Sequence, residues 1–165
     1  VEVTWYGAAA YCNYRSQKEG RPTCYDFSDW SSDLNATGYR LPTDEEWEYA
    51  ARGGAVSQRF PWGANISHSQ ANYYADNYSD YDLSSGGYHQ AYDDGGHPYT
   101  SPVGDFAANG YGLYDMAGNV WEWCADWYGR DYYQHGPTAN PHGPQKGTQN
   151  RSKIAKNQSK IYKIA

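Results

Sequence analysis

The chain has 165 residues, a net charge of −6 and an aromatic share of 18%, with 18 glycines and 8 prolines. Length fits one domain, and no run approaches the roughly 18 apolar residues of a membrane-spanning helix. Residues 1–144 hold all 19 acidic residues against seven Lys or Arg, a balance that disfavours nucleic acid and suits cations or sugars.

"VEVTWYGAAAYCNYRSQ" alternates briefly and then turns helical from Thr4, with Trp5, Ala8, Ala9 and Cys12 on one face and Thr4 as the cap. Gly20, Arg21 and Pro22 stop that helix, and a turn-rich segment runs to Gly38. A second helix follows in "YRLPTDEEWEYAARGG". Thr43 and Glu46 form a capping box, and Asp44 and Glu45 suit the positive helix start. Trp47, Ala50 and Ala51 give the apolar face, and Gly53-Gly54 supplies a left-handed end.

Regular periodicity vanishes from "FPWG" to about Pro102. Residues 72–99 carry seven tyrosines, five aspartates and four glycines. They read either as an ordered surface loop or as a binding loop, since Tyr, Ser, Gly and Asn give adaptable contact area at low entropic cost. "NGYGLYDMAGNVWEWCADWY", residues 109–128, then reads as turn, short strand, turn and a tight aromatic strand; residues 129–144 form a Gly/Pro/His loop.

The last segment, 145–165, changes character: six Lys or Arg, no acid, and three of the four isoleucines. Two readings stand, a basic amphipathic helix docked on the acidic body or a chain end foreign to the domain. Three cysteines cannot all pair within one chain, and Cys12, Cys24 and Cys124 show no zinc-type spacing. They read as buried small hydrophobes, with one disulfide plus a free thiol as the alternative. His68, His89, His97, His135 and His142 read as exposed loop residues.

Taken together, "VTWYGAAAYCNY" (3–14), "GYRLPTDEEWEYAARGG" (38–54), "FPWG" (60–63), "AN" (71–72), "PVGDFAANGYGLYDMAGNVWEWCADWY" (102–128) and "GP" (143–144) resemble the formylglycine-generating enzyme, or sulfatase-modifying factor, family. Order and spacing match from Val1 to about Pro144. The resemblance implies an α+β domain of C-type-lectin-like architecture, with two short helices, short antiparallel strands and little regular structure. Residues 1–144 would be a partial family domain missing both edges.

It also implies structural calcium. Carried over by position, Asp115 and Glu122 would give side-chain oxygens, and Gly118 and Val120 backbone carbonyls. Calcium takes six to eight oxygens in flexible geometry. An acid, a glycine that lets the chain curl, exposed carbonyls and a second acid can supply most of them. Trp121 and Trp123 flank Glu122 and would fix its direction on a strand. The bland alternative is that Asp115 and Asn119 bond only their own turn. A second calcium would use Asn72, the carbonyl of Tyr73 and Asp94, with Asp93 as an alternative and the carbonyl of His97 as a further ligand.

Family enzymes oxidise a sulfatase cysteine to formylglycine with a copper-binding cysteine pair, thiolates being soft ligands for Cu(I). That pair lies in a region with no counterpart here, so Cys12, Cys24 and Cys124 inherit no catalytic role. Copper is implied only for complete members. Three expectations follow: an incomplete oxidase, a non-catalytic calcium-stabilised module that binds a sulfatase peptide or another protein or glycan ligand, or an accessory domain of a larger protein.

Overall fold

The structure is a computed structural model that describes residues 3–76, 78–96, 99–129, 131–137, 139, 141–144 and the backbone of 153–154. Its elements in chain order are α1 (Trp5–Lys18), α2 (Asp44–Arg52), β1 (Glu122–Trp123), α3 (Tyr132–His135) and β2 (Lys153–Ile154). β1 and β2 form a two-stranded sheet. The remainder of 145–165, and with it the question of a foreign tail, lies outside the described residues. No helix among the described residues is long and apolar enough to cross a membrane.

The chain divides into two compact units. The first comprises Val1–Glu45 and Trp123–Lys153. Here Thr4 caps α1 as expected, its hydroxyl accepting the Gly7 N–H at 3.0 Å. The buried face differs from the expected apolar one: Trp5, Ala9, Asn13 and Ser16 are buried, with Ala8 and Cys12 only half-buried. Two polar side chains go inward because each holds the following loop. Asn13 donates to the Tyr25 carbonyl at 2.7 Å and accepts the N–H groups of Cys24 and Tyr25, both at 3.1 Å. Ser16 Oγ accepts the Tyr39 N–H at 2.7 Å. Buried backbone groups must be paired, and here a helix face does what a neighbouring strand would do.

A Cβ on Gly38 would stand 1.9 Å from the Pro22 carbonyl oxygen and 2.7 Å from Ser16 Oγ, so only glycine fits beside α1. The core of this unit is Trp5, Ala9, Cys24 and Tyr25, with Cys12, Trp30, Leu41 and Trp123 packed against it. Trp5 meets Tyr25 edge-on at 5.4 Å and donates its indole N–H to the Cys124 carbonyl at 2.9 Å. Aromatic pairs thus supply the buried area that a scarcity of aliphatics leaves open.

The second unit comprises Glu46–Glu122 and Ile154–Ala165. α2 buries Trp47 and Ala51 and ends, as expected, on left-handed glycines, Gly53 at φ +58° and Gly54 at φ +85°. Phe60, Ile66, Ala71, Tyr73 and Ala75 form the core, flanked by Trp62, Tyr81 and Ala117. The Tyr-rich segment is held by isolated bridges: a parallel one between Ile66 and Asp82 and an antiparallel one between Ala75 and Gly87. Little regular structure and much turn geometry is the outcome that the composition called for.

Candidate functional site

Five residues that are not glycine adopt positive φ among the described residues, and two of them, Asp115 (φ +55°) and Asn119 (φ +62°), lie in the turn singled out by sequence. A left-handed non-glycine costs energy and persists only where surrounding contacts fix it. Asn119 shows what those contacts are. Its backbone N–H donates to the Asn72 carbonyl at 2.7 Å, while its side chain accepts the Ser101 N–H at 2.9 Å and donates to the Ser101 carbonyl at 3.3 Å. Gly118 sits tight against the same carbonyl, since a Cβ there would come within 2.2 Å of Asn72 O.

Asp115 is held by one oxygen only. Oδ2 accepts the Gly104 N–H at 2.8 Å, while Oδ1 is buried and meets no hydrogen-bond donor. An acceptor left dry in this way carries a full desolvation cost. A cation would relieve it. Asp115 also lines a shallow recess with Trp62, Phe106, Leu113, Met116 and Gln70.

Of the remaining residues of the first set, Gly118 gives its carbonyl to the Val120 N–H at 2.9 Å. Val120 and Trp121 are exposed, and Glu122 accepts the Trp47 indole N–H. The bonds of Asp115 and Glu122 therefore lead to different partners, Gly104 and Trp47. Among the described residues no three His, Cys, Asp or Glu side chains gather as metal ligands. A cation here would depend on two carboxylates with backbone carbonyls, which is a calcium-type donor set.

Residues of the second set bond to different partners. Asn72 is buried and donates its amide to the Tyr99 carbonyl at 2.8 Å. The Tyr73 carbonyl accepts from His68 Nε2 at 3.0 Å. Asp94 is exposed and caps its own turn, accepting the Gly96 N–H at 2.9 Å. Asp93 donates its backbone N–H to the His89 carbonyl at 3.1 Å, and His97 lies outside the described residues. The Asn72 carbonyl also contacts the 115–122 turn, at Gly118 and Asn119.

Two histidines depart from the exposed-loop reading. His68 and His89 are half-buried, with ring centroids 5.1 Å apart. Each donates Nε2–H to a carbonyl, His68 to Tyr73 and His89 to His68 at 2.8 Å. Burial holds the His68 ring below the ordinary imidazole range, and neighbouring His89 adds to this. Beneath them the Tyr73 hydroxyl donates to Asp82 at 2.6 Å and meets Ser84 Oγ at 2.8 Å, so burial and Asp82 push its ionisation up. The residues fall within 68–89 at no repeating interval, so spacing alone could not reveal the network.

All three cysteines are free thiols; Cys24 and Cys124 are buried and Cys12 is half-buried. Burial pushes the thiols of Cys12 and Cys24 above their ordinary range. Such groups pack as small hydrophobes, the first of the two sequence readings.

Comparison with known proteins matches residues 1–163 to the sulfatase-modifying factor enzyme 1-like domain. The chain is 38% identical over 134 residues to the serine/threonine-protein kinase pkn1 of Chlamydia caviae, covering 81% of this chain and 15% of that protein. It is 38% identical over 134 residues to the formylglycine-generating enzyme of Streptomyces coelicolor, covering 77% and 40%. The inactive C-alpha-formylglycine-generating enzyme 2 of Bos taurus is 37% identical over 129 residues, covering 78% and 33%. Among solved structures, Treponema denticola variable protein 1 superposes with a TM-score of 0.56 at 27% identity, covering 88% of this chain and 55% of that one. The chain thus spans well under half the length of these curated relatives. Matched along nearly its whole length, and with the α+β fold that its motifs imply, it belongs to the formylglycine-generating enzyme, or sulfatase-modifying factor, family.

Proposed function

We propose that these residues are the calcium-stabilised, peptide-binding portion of a formylglycine-generating-enzyme-type domain, and that Cys12, Cys24 and Cys124 contribute no oxidase chemistry. The observation that carries this reading is the burial of the thiols. Copper-assisted oxidation needs a thiolate pair open to metal, oxygen and substrate. Cys124 is 0% and Cys24 2% exposed, and burial disfavours the thiolates of Cys12 and Cys24. The donor set therefore does not fit copper.

Calcium fits better. Asp115 Oδ1 is a dry acceptor on a strained turn, and Glu122 lies seven residues on. Bound calcium would neutralise both carboxylates and cross-link the turn through the Gly118 and Val120 carbonyls. The strained conformation of Asp115 and Asn119 is then offset by ligand bonds. Among the described residues the buried side-chain oxygens without a partner include Asp115 Oδ1 and none of Asn72, Tyr73 or Asp94, which favours the 115–122 turn for the cation.

A peptide ligand is favoured by charge and by exposed aromatics on the second unit. Tyr111, Tyr114 and Trp121 are 46%, 53% and 51% exposed, on a chain whose first 144 residues are strongly acidic. Rigid amphipathic rings beside carboxylates suit a peptide with a basic side chain. Incubating the protein with a Cys-x-Pro-x-Arg peptide, copper and a thiol reductant is expected to leave the cysteine unconverted. Aldehyde formation above that of a variant lacking all three cysteines would overturn the reading.

A further inference from the structure

We infer that Cys12 and Cys24 form an oxidisable pair, a modification site at which a low-molecular-weight disulfide such as oxidised glutathione closes an intrachain bond. Three observations place the two residues together. Cys12 packs against the core cluster of which Cys24 is a member. Asn13, the next residue after Cys12, holds the backbone N–H groups of Cys24 and Tyr25 at 3.1 Å and the Tyr25 carbonyl at 2.7 Å. The thiols also lie close enough that a negative charge on Cys24 discourages one on Cys12.

The Asn13 clamp matters because disulfides demand adjacent backbones. A side chain is short, so the residue it grips lies one side-chain length from the helix that carries its neighbour. As a thiol Cys24 approaches the Ala36 carbonyl at 4.0 Å, and its sulfur also receives a backbone hydrogen bond from Gly38. Cys124 is not a member of the cluster that holds Cys24, although its carbonyl receives the Trp5 indole.

Exposure sets the order of events. Cys12 is half-buried and Cys24 is 2% exposed, so Cys12 is the entry thiol. Its deprotonated sulfur attacks one sulfur of the oxidant, releasing one molecule of the small thiol and leaving a mixed disulfide. Deprotonated Cys24 then attacks the Cys12 sulfur and expels the second small thiol. Two protein thiols are oxidised, one small disulfide is reduced to two thiols, and two protons pass from the cysteines to the leaving sulfurs. Thiolates are the attacking species, so the rate rises with pH through the alkaline range.

The test is to expose the native protein to oxidised glutathione, block remaining thiols by alkylation, and map peptides without reduction. The expected product loses two of three thiols, links Cys12 to Cys24 and leaves Cys124 alkylated. Cys24→Ser is expected to stop at a mixed disulfide on Cys12, and Cys12→Ser to leave Cys24 unmodified. Three free thiols after prolonged alkaline exposure, a link to Cys124, or a link between two chains would each overturn the inference. Should either variant fail to fold, the wild-type peptide map decides alone.

Discussion

Asn109 places its amide nitrogen 2.7 Å from the carbonyl oxygen of Ala50, joining the C-terminal turn of α2 to a loop 59 positions away. The same amide reaches the Ala51 carbonyl at 3.2 Å, while Oδ1 accepts the N–H groups of Tyr111 at 2.9 Å and Leu113 at 3.1 Å. Terminal helix carbonyls lack partners within the helix, and here one side chain satisfies two of them. Asn109→Asp keeps the acceptor but turns a carboxylate toward the negative end of α2. We expect a loss of about 2–4 kcal/mol, read by urea unfolding. A variant as stable as the parent would refute the capping role.

Calcium is expected to raise Tm in the wild-type protein, because a ligand that binds only the folded state stabilises it. Asp115→Ala removes the dry oxygen and Glu122→Ala the second carboxylate, and either change should abolish the rise. A melt indifferent to both calcium and a chelator would remove the cation from the turn.

Gly118→Ala tests how firmly the turn is set. Alanine would meet both an unfavourable φ of +81° and the Asn72 carbonyl at 2.2 Å, backbone that cannot simply step aside. A cost of about 2–4 kcal/mol is expected in thermal or chemical unfolding. A neutral outcome would mean that the 72 and 118 segments do not touch.

His68 gives the second unit an acid dependence. Its folded ring is held below the ordinary imidazole value of about 6.5 by burial, next to His89 and with Asp82 working the other way. For a base held neutral in the fold, its contribution is fully present above that ordinary value. It is lost as pH falls towards and through the depressed folded value, because the unfolded chain takes the proton first. Melting between pH 7 and 5 should therefore fall more steeply in the wild type than in His68→Gln. Parallel curves would exclude His68 as the source.

What could be read in advance was local. The start of α1 at Thr4 and the end of α2 at Gly53 rest on caps that act within a few residues, and both stand in the structure. Asn13 and Ser16 escaped notice because a helical face is sought as an apolar stripe, whereas these two turn inward to serve loop backbone. The same reason hides Asn109, His68 and His89: their partners follow tertiary proximity, and no interval along the chain announces it. Asp115 was legible through the motif, but its orphaned oxygen and positive φ needed three dimensions.

The loop after α1 is gripped near both ends, by Asn13 at Cys24 and Tyr25 and by Ser16 at Tyr39, with the Tyr25 hydroxyl accepting the Leu41 N–H at 2.9 Å. Between those grips, residues 28–37 run through Asp-initiated turns, Asp29 receiving Ser31 and Asp33 receiving Asn35. Trp30 in the same stretch packs on the Trp5 core, so its middle is fixed as well as its ends. Side-chain chemistry can change only at exposed turn positions such as Ser28, Ser31 and Asn35, where it is displayed on the surface without unseating α1.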